Sequence, residues 1–131
     1  MKALLYLRLL TENQTIAYGN PLLEQIKSQF PNLAVLDVDS QSEELVLHYA
    51  KQLLQNSEQL IVCIESTAAD AGLGSVFPLL ELVLEGRKEQ LIVFRNEHPR
   101  LLRMIQARPE LQMKVVQDDV ELLSEVKRFY N

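Results

Sequence analysis

The apolar residues of this chain change spacing again and again along its length, from every second position or an unbroken run to every third and fourth and back. That alternation constrains the fold more than any other feature. Five segments carry strand patterning: KALLYLRL (2–9), LAVLDV (33–38), QLIVCIE (59–65), QLIVFR (90–95) and Met113–Gln117. Between and after them lie five segments with helical spacing. Pro21 opens the first after Asn20 and Pro31-Asn32 stops it; Ser40-Gln41-Ser42-Glu43 reads as a capping box for the second. The third spans about 75–85 with Pro78 in its first turn and Gly86 closing it; Pro99 starts a short fourth through Arg108, and Asp119 caps the last, which runs to Tyr130.

Strict β/α alternation with short connections implies parallel strands joined by right-handed crossovers. The expected architecture is α/β: a three-layer, doubly wound parallel five-stranded sheet, Rossmann-like in the broad sense and flavodoxin-like in its expected strand order, 2-1-3-4-5. The run 59–65 is apolar at nearly every position, as suits a central strand covered on both faces. At 131 residues the chain fits one domain, 1–131, with enough length to bury a sheet and two helical layers.

On the second helix the apolar set Leu45, Tyr49, Leu53 with Val46, Ala50, Leu54 is expected to face inward. On the third, Val76, Phe77, Leu79, Leu80, Leu82, Val83 and Leu84 leave only a stripe through Glu81 and Glu85 polar, a wider apolar arc than one sheet face covers. A second copy of the chain is the expected cover, with Phe77, Leu80 and Leu84 at the interface of a homodimer.

Composition excludes some classes of function. Thirteen basic against eighteen acidic residues give a net charge of −5, and the densest basic cluster is Arg87-Lys88, so neither nucleic acid nor an anionic membrane is an expected partner. Cys63 is the single cysteine, inside an apolar run, which excludes an internal disulfide and fits a reducing compartment. The N-terminal MKALLYLRLL contains Arg8 and is too short to span a bilayer; it reads as the first strand, and the expected location is cytoplasmic.

Ligands of open α/β sheets sit beyond the carboxyl ends of the strands, where the winding reverses, here between strands 1 and 3. Two long loops face each other there, one from Thr11 and Asn13 to Asn20, the other Ser66, Thr67, Asp70, Gly72, Gly74 and Ser75; Asn96 with Arg95 and His98 closes a third side. The candidate ligand-binding residues are Thr11, Asn13, Ser66, Thr67, Gly74, Ser75 and Asn96. Glu65, a carboxylate at the rim of an apolar strand, and Asp70 are the candidate catalytic pair, since burial raises a carboxylate's pKa toward acid/base use. The plainer reading of Glu65 is a strand-end cap in water.

Asp37 and Asp39 project to one face and could hold Mg²⁺ with Glu12, but they serve equally as edge-strand charge, and no metal is assigned. No cofactor is implied either. Gly72-Leu73-Gly74-Ser75 lacks the Walker lysine and the dinucleotide glycine spacing, and reads better as a tight entry into the helix. His48 and His98 have no second ligand at metal spacing.

Length and expected topology resemble response-regulator receiver domains. The family's acidic pair, phosphoacceptor Asp, Ser/Thr and Lys are met here by Thr11-Glu12, Glu65, Arg95-Asn96 and Gln117-Asp118, so that phosphotransfer is not implied. Gly74-Ser75-Val76-Phe77 is similar in place to the Gly-Thr/Ser motif of nucleoside deoxyribosyltransferase-like domains, although Pro78-Leu79-Leu80 stand where that family carries a glutamate. Two functions follow. The first is a non-catalytic regulatory or protein-interaction module, a homodimer whose loops bind another protein or a small-molecule effector. The alternative is a small hydrolase or transferase acting on a nucleoside- or nucleotide-like substrate.

Overall fold

The computed structural model describes residues 2–10, 21–40, 42–66, 72–85, 89–96 and 98–130. In chain order the elements are β1 (Lys2–Leu9), α1 (Pro21–Gln29), β2 (Ala34–Asp39), α2 (Glu44–Asn56), β3 (Gln59–Ser66), a 3₁₀ turn (Gly74–Val76), α3 (Phe77–Leu84), β4 (Glu89–Phe94), α4 (Pro99–Gln106), β5 (Gln112–Val115) and α5 (Asp119–Tyr130). The strands form one sheet in the order β2-β1-β3-β4-β5, and every neighbouring pair is parallel. This is the flavodoxin-like topology, with β1, β3 and β4 interior.

Strand side chains alternate between faces, and the two faces build separate cores. Ala3, Leu5, Leu7 and Leu9 of β1 pack with Leu60, Val62 and Ile64 of β3 beneath α2, α3 and α4. Leu4 and Tyr6 pack with Ile61, Cys63 and Val93 beneath Leu22, Leu23 and Ile26 of α1 and Leu122 and Val126 of α5. Central β3 is buried from Leu60 through Ile64, as its unbroken apolar run requires. At the last turn of α5 the Tyr130 hydroxyl donates to the Ala3 carbonyl and accepts from the Ile61 N–H, which ties the end of the chain to β1 and β3.

Several local expectations are corrected. The capping box at 40–43 does not form: Ser40 Oγ accepts from the Leu10 N–H (2.9 Å), Ser42 Oγ accepts from the Asp39 N–H (2.9 Å), and α2 begins after Glu43 without a side-chain cap. Both hydroxyls go to the chain leaving the sheet, a use open to any serine in a tight turn. At α5 the cap is one residue earlier than expected: Asp118 Oδ1 accepts from the Glu121 N–H, and Asp119 is the first helical residue. His98 stands outside the helix just before Pro99, as expected, and is buried there as the cap of α4, its Nδ1 accepting from the Leu101 N–H.

The two wide apolar helices resolve differently. On α2 the buried residues are Ala50 and Leu54, flanked by half-buried Val46, Leu47 and Leu53, whereas Leu45 and Tyr49 point outward with 62% and 55% exposure. Successive helical residues lie about 100° apart, so a stripe centred on Ala50 leaves Leu45 and Tyr49 outside. On α3 the arc is covered from within. Leu79, Leu80 and Val83 are buried, Leu82 and Leu84 pack against the same core, and α2 lies alongside. Of the residues expected at an interface, Leu80 is therefore core (3% exposed) and Leu84 half-buried, while Phe77 is exposed.

Candidate functional site

Strand parity puts a row of charge at the carboxyl end of the sheet. Tyr6 and Cys63 belong to the core under α1 and α5, so two residues later Arg8 and Glu65 emerge on that same face; they stand directly opposite each other in the β1/β3 register. That pair marks the point where the winding reverses. On the β2 side Asp37 joins the row, and past β4 so does Arg95.

The row is continuous. Arg8 Nη2 lies 3.6 Å from Asp37 Oδ2 and Arg8 Nε 3.7 Å from Glu65 Oε2; Arg95 Nη1 lies 3.7 Å from Glu65 Oε1 and Arg95 Nη2 2.6 Å from Asp119 Oδ1. Signs thus alternate from β2 across β1, β3 and β4 to the first residue of α5. Two further contacts anchor the cations. Arg95 Nη1 donates to the buried Tyr6 hydroxyl (3.3 Å), and the Arg8 guanidinium lies 5.6 Å from the Tyr6 ring centroid, within cation–π range. Burial works against the charge on Arg95, but the Tyr6 hydroxyl, Asp119 and Glu65 outweigh it and hold the guanidinium's pKa above its ordinary value.

Each oxygen of Glu65, the candidate acid/base, faces an arginine at ion-pair distance. Arg8 Nε is buried and, among the described residues, makes no hydrogen bond; its contact with Glu65 is an ion pair longer than one. The ladder brings together Glu65 and Arg95 from the sequence reading with Arg8 and Asp119, expected only as strand and cap residues, and Asp37, weighed there as a Mg²⁺ ligand or edge charge. The signal was available: 6 and 8, 63 and 65, 93 and 95 share parity, and opposite charges recur near the carboxyl ends of adjacent strands.

The remaining candidates divide. Thr11, Asn13, Thr67 and Asp70 lie outside the described residues, as does Glu12 of the Mg²⁺ alternative. Ser66 ends β3, buried, and its carbonyl accepts from Asn96 Nδ2 at 2.9 Å, which joins the rims of β3 and β4. Ser75 falls in the 3₁₀ turn. Gly74 has a φ of +53°, and a Cβ there would lie 2.3 Å from the Ser40 carbonyl oxygen, so this glycine serves the tight entry into α3. Among the described residues no group of three or more His, Cys, Asp or Glu could hold a metal. His48 is exposed beside Gln52, and Cys63 is fully buried, with burial pushing its thiol pKa up and away from nucleophilic use. No helix among the described residues is long and apolar enough to cross a membrane.

Asp37 gives the ladder a testable pH response. Burial raises its pKa above the ordinary 3.8; Arg8 opposes this, and Asp39 and Glu65 add to it. The folded chain therefore binds that proton more tightly than the unfolded chain, and ionising Asp37 costs stability as pH rises through the folded value. The cost is present at neutral pH and gone below the unfolded value. Asp37→Asn should unfold at higher urea than wild type at pH 7, and the gap should close on approaching about pH 3. A variant less stable than wild type at pH 7 would show that the Arg8 pair outweighs burial.

No family model, no curated protein and no solved structure matches the chain.

Proposed function

We propose that the protein is a non-catalytic interaction module that works as a homodimer, its outward face formed by α2 rather than by the centre of α3. The observation that carries this reading is the exposure of Leu45 and Tyr49, one helical turn apart on a helix whose other apolar residues are buried or half-buried. Large apolar groups paired on an open helix face mark contact surfaces more often than scattered ones do. Phe77, at the first position of neighbouring α3, adds a third exposed apolar side chain. The hydrolase or transferase alternative draws on Glu65, and with an arginine against each of its oxygens that carboxylate serves charge balance in the ladder.

Light scattering on a sizing column tests the reading. The expected mass at tens of micromolar is twice the 15.0 kDa of one chain. Leu45→Glu combined with Tyr49→Ser should halve that mass and leave a folded monomer with a cooperative urea transition, its melting temperature lowered only by the loss of the dimer, because both side chains lie outside the core of the single chain. A wild-type monomer, or a double variant that stays dimeric, overturns the proposal.

A further inference from the structure

β5 forms one margin of the sheet, with β4 as its neighbour there. The register sets Ile92 opposite Met113, Val93 opposite Lys114 and Phe94 opposite Val115, and the Val116 N–H donates to the Phe94 carbonyl at 2.8 Å. In a parallel pair, alternate residues of a strand bond to the neighbour. Gln112, Lys114 and Val116 therefore direct their backbone groups at β4, and Met113 and Val115 turn theirs to the open side. The strand is also accessible: Gln112 and Lys114 are exposed, Met113 is half-buried and Val115 is 41% exposed. An edge of this kind is a template for another extended chain.

The charge around β5 is opposite to that of the chain as a whole. Residues 99–115 hold four basic side chains, Arg100, Arg103, Arg108 and Lys114, against one acidic, Glu110, in a chain of net charge −5. All four cations are exposed. The three arginines belong to α4 and the turn after it, and α4 packs through Leu101 and Ile105 on the sheet face that Met113 shares. Lys114 has the opposite parity and lies on the face of Val116 and α5. Cations thus stand on both faces of this edge. The neighbouring described carboxylates are engaged: Glu110 lies 4.0 Å from Arg108, Asp119 pairs with Arg95, Asp118 caps α5, and Glu121 accepts from the Gln117 N–H at 3.0 Å. The other margin, β2, carries Asp37 and Asp39 instead.

We infer that β5 binds an extended acidic segment of another protein by strand addition, its backbone pairing with Met113 and Val115, its apolar side chains beside those two residues and its carboxylates beside Lys114. A second copy of the chain fits the edge less well. Two β5 strands related by a twofold axis would bring their basic residues together, and like charges across a strand pair destabilise it. α2 packs on β2 and β1, at the far side of the sheet, so a monomeric wild type would leave this inference standing.

In the test, the ¹⁵N-labelled full chain is titrated with the capped peptide Glu-Val-Glu-Val-Glu. The comparison peptides are Lys-Val-Lys-Val-Lys and the acidic peptide N-methylated at every residue, which cannot donate to a strand. The acidic peptide is expected to give saturable amide shifts from Gln112 to Val116 and to slow hydrogen exchange at Met113 and Val115 by about tenfold or more. The other two are expected to do neither. Lys114→Glu, at an exposed position, should keep the fold and weaken the acidic peptide about tenfold. The inference is overturned if the acidic peptide shifts β2 or no strand, if the three peptides act alike, or if Lys114→Glu binds the acidic peptide as tightly as wild type. Protection of Met113 and Val115 that grows with protein concentration alone would also overturn it, because a second copy would then be the occupant.

Discussion

Leu80→Glu is expected to leave the chain unfolded, with loss of the cooperative urea transition and of the helical circular dichroism signal. Leu80 is 3% exposed inside the core that α2, α3 and α4 build on one face of the sheet. Replacing it removes an apolar group worth about 2–3 kcal/mol of burial and forces a carboxylate into a site lined by Leu79, Val83 and their neighbours. A buried charge without a partner costs several kcal/mol more. The sum rivals the whole stability of a domain of this size, about 5–15 kcal/mol. Leu80→Ala, which leaves a cavity and no charge, should cost about 2–5 kcal/mol and remain folded. Phe77→Glu is the internal comparison: at 38% exposure, at the start of the same helix, it should keep the fold. A Leu80→Glu chain that folded normally but changed its mass would return Leu80 to an interface and contradict the packing of α3.

The same helix shows what a sequence discloses and what it withholds. Alternation implied parallel strands with right-handed crossovers, the sheet has the winding that five such units most often adopt, and the unbroken apolar run Leu60–Ile64 marked β3 as interior. Which way a wide apolar helix turns its excess is a different question. Leu45 and Tyr49 of α2 satisfy the i, i+4 rule as well as Ala50 and Leu54 do, and the choice between stripes is made by the sheet beneath and by α3 alongside. Capping chemistry has a similar ambiguity. Ser40 and Ser42 stand at the spacing of a helix cap, yet their hydroxyls serve Leu10 and Asp39 because the chain must first leave β2 and pass the end of β1.

The site was half legible for a related reason. Glu65 stands out because a carboxylate follows five buried positions of its strand, and its place at the winding reversal follows from topology. Its partners required register. Arg8 looks like an ordinary polar residue near a strand end until the pairing sets it opposite Glu65, and Arg95 and Asp119 are joined only when α5 docks beside β4. A sequence specifies which residues carry charge; the ladder depends on which of those charges share a face.

Of the two described glycines Gly74 should be the costlier to replace by alanine, about 2–5 kcal/mol by urea unfolding, the sum of two penalties. The first is conformational: at φ +53° a residue with a Cβ loses about 1–2 kcal/mol relative to the right-handed region. The second is steric. The added carbon would lie 2.3 Å from the Ser40 carbonyl oxygen and 3.0 Å from its Cβ. Ser40 has little freedom to retreat, because its N–H donates to the Arg8 carbonyl (2.9 Å) and its hydroxyl accepts from the Leu10 N–H (2.9 Å). Relief must come from moving the 3₁₀ turn and the start of α3, or from loosening the end of β1 next to Arg8, and displacements of this kind in packed structure cost about 1–3 kcal/mol. Gly72→Ala, two residues away with nothing within 4 Å of the added carbon, should change stability by less than about 0.5 kcal/mol. If both alanines proved equally mild, the close approach of the turn before α3 to the exit of β2 would be wrong, and so would the assignment of Gly74 to that turn rather than to a ligand.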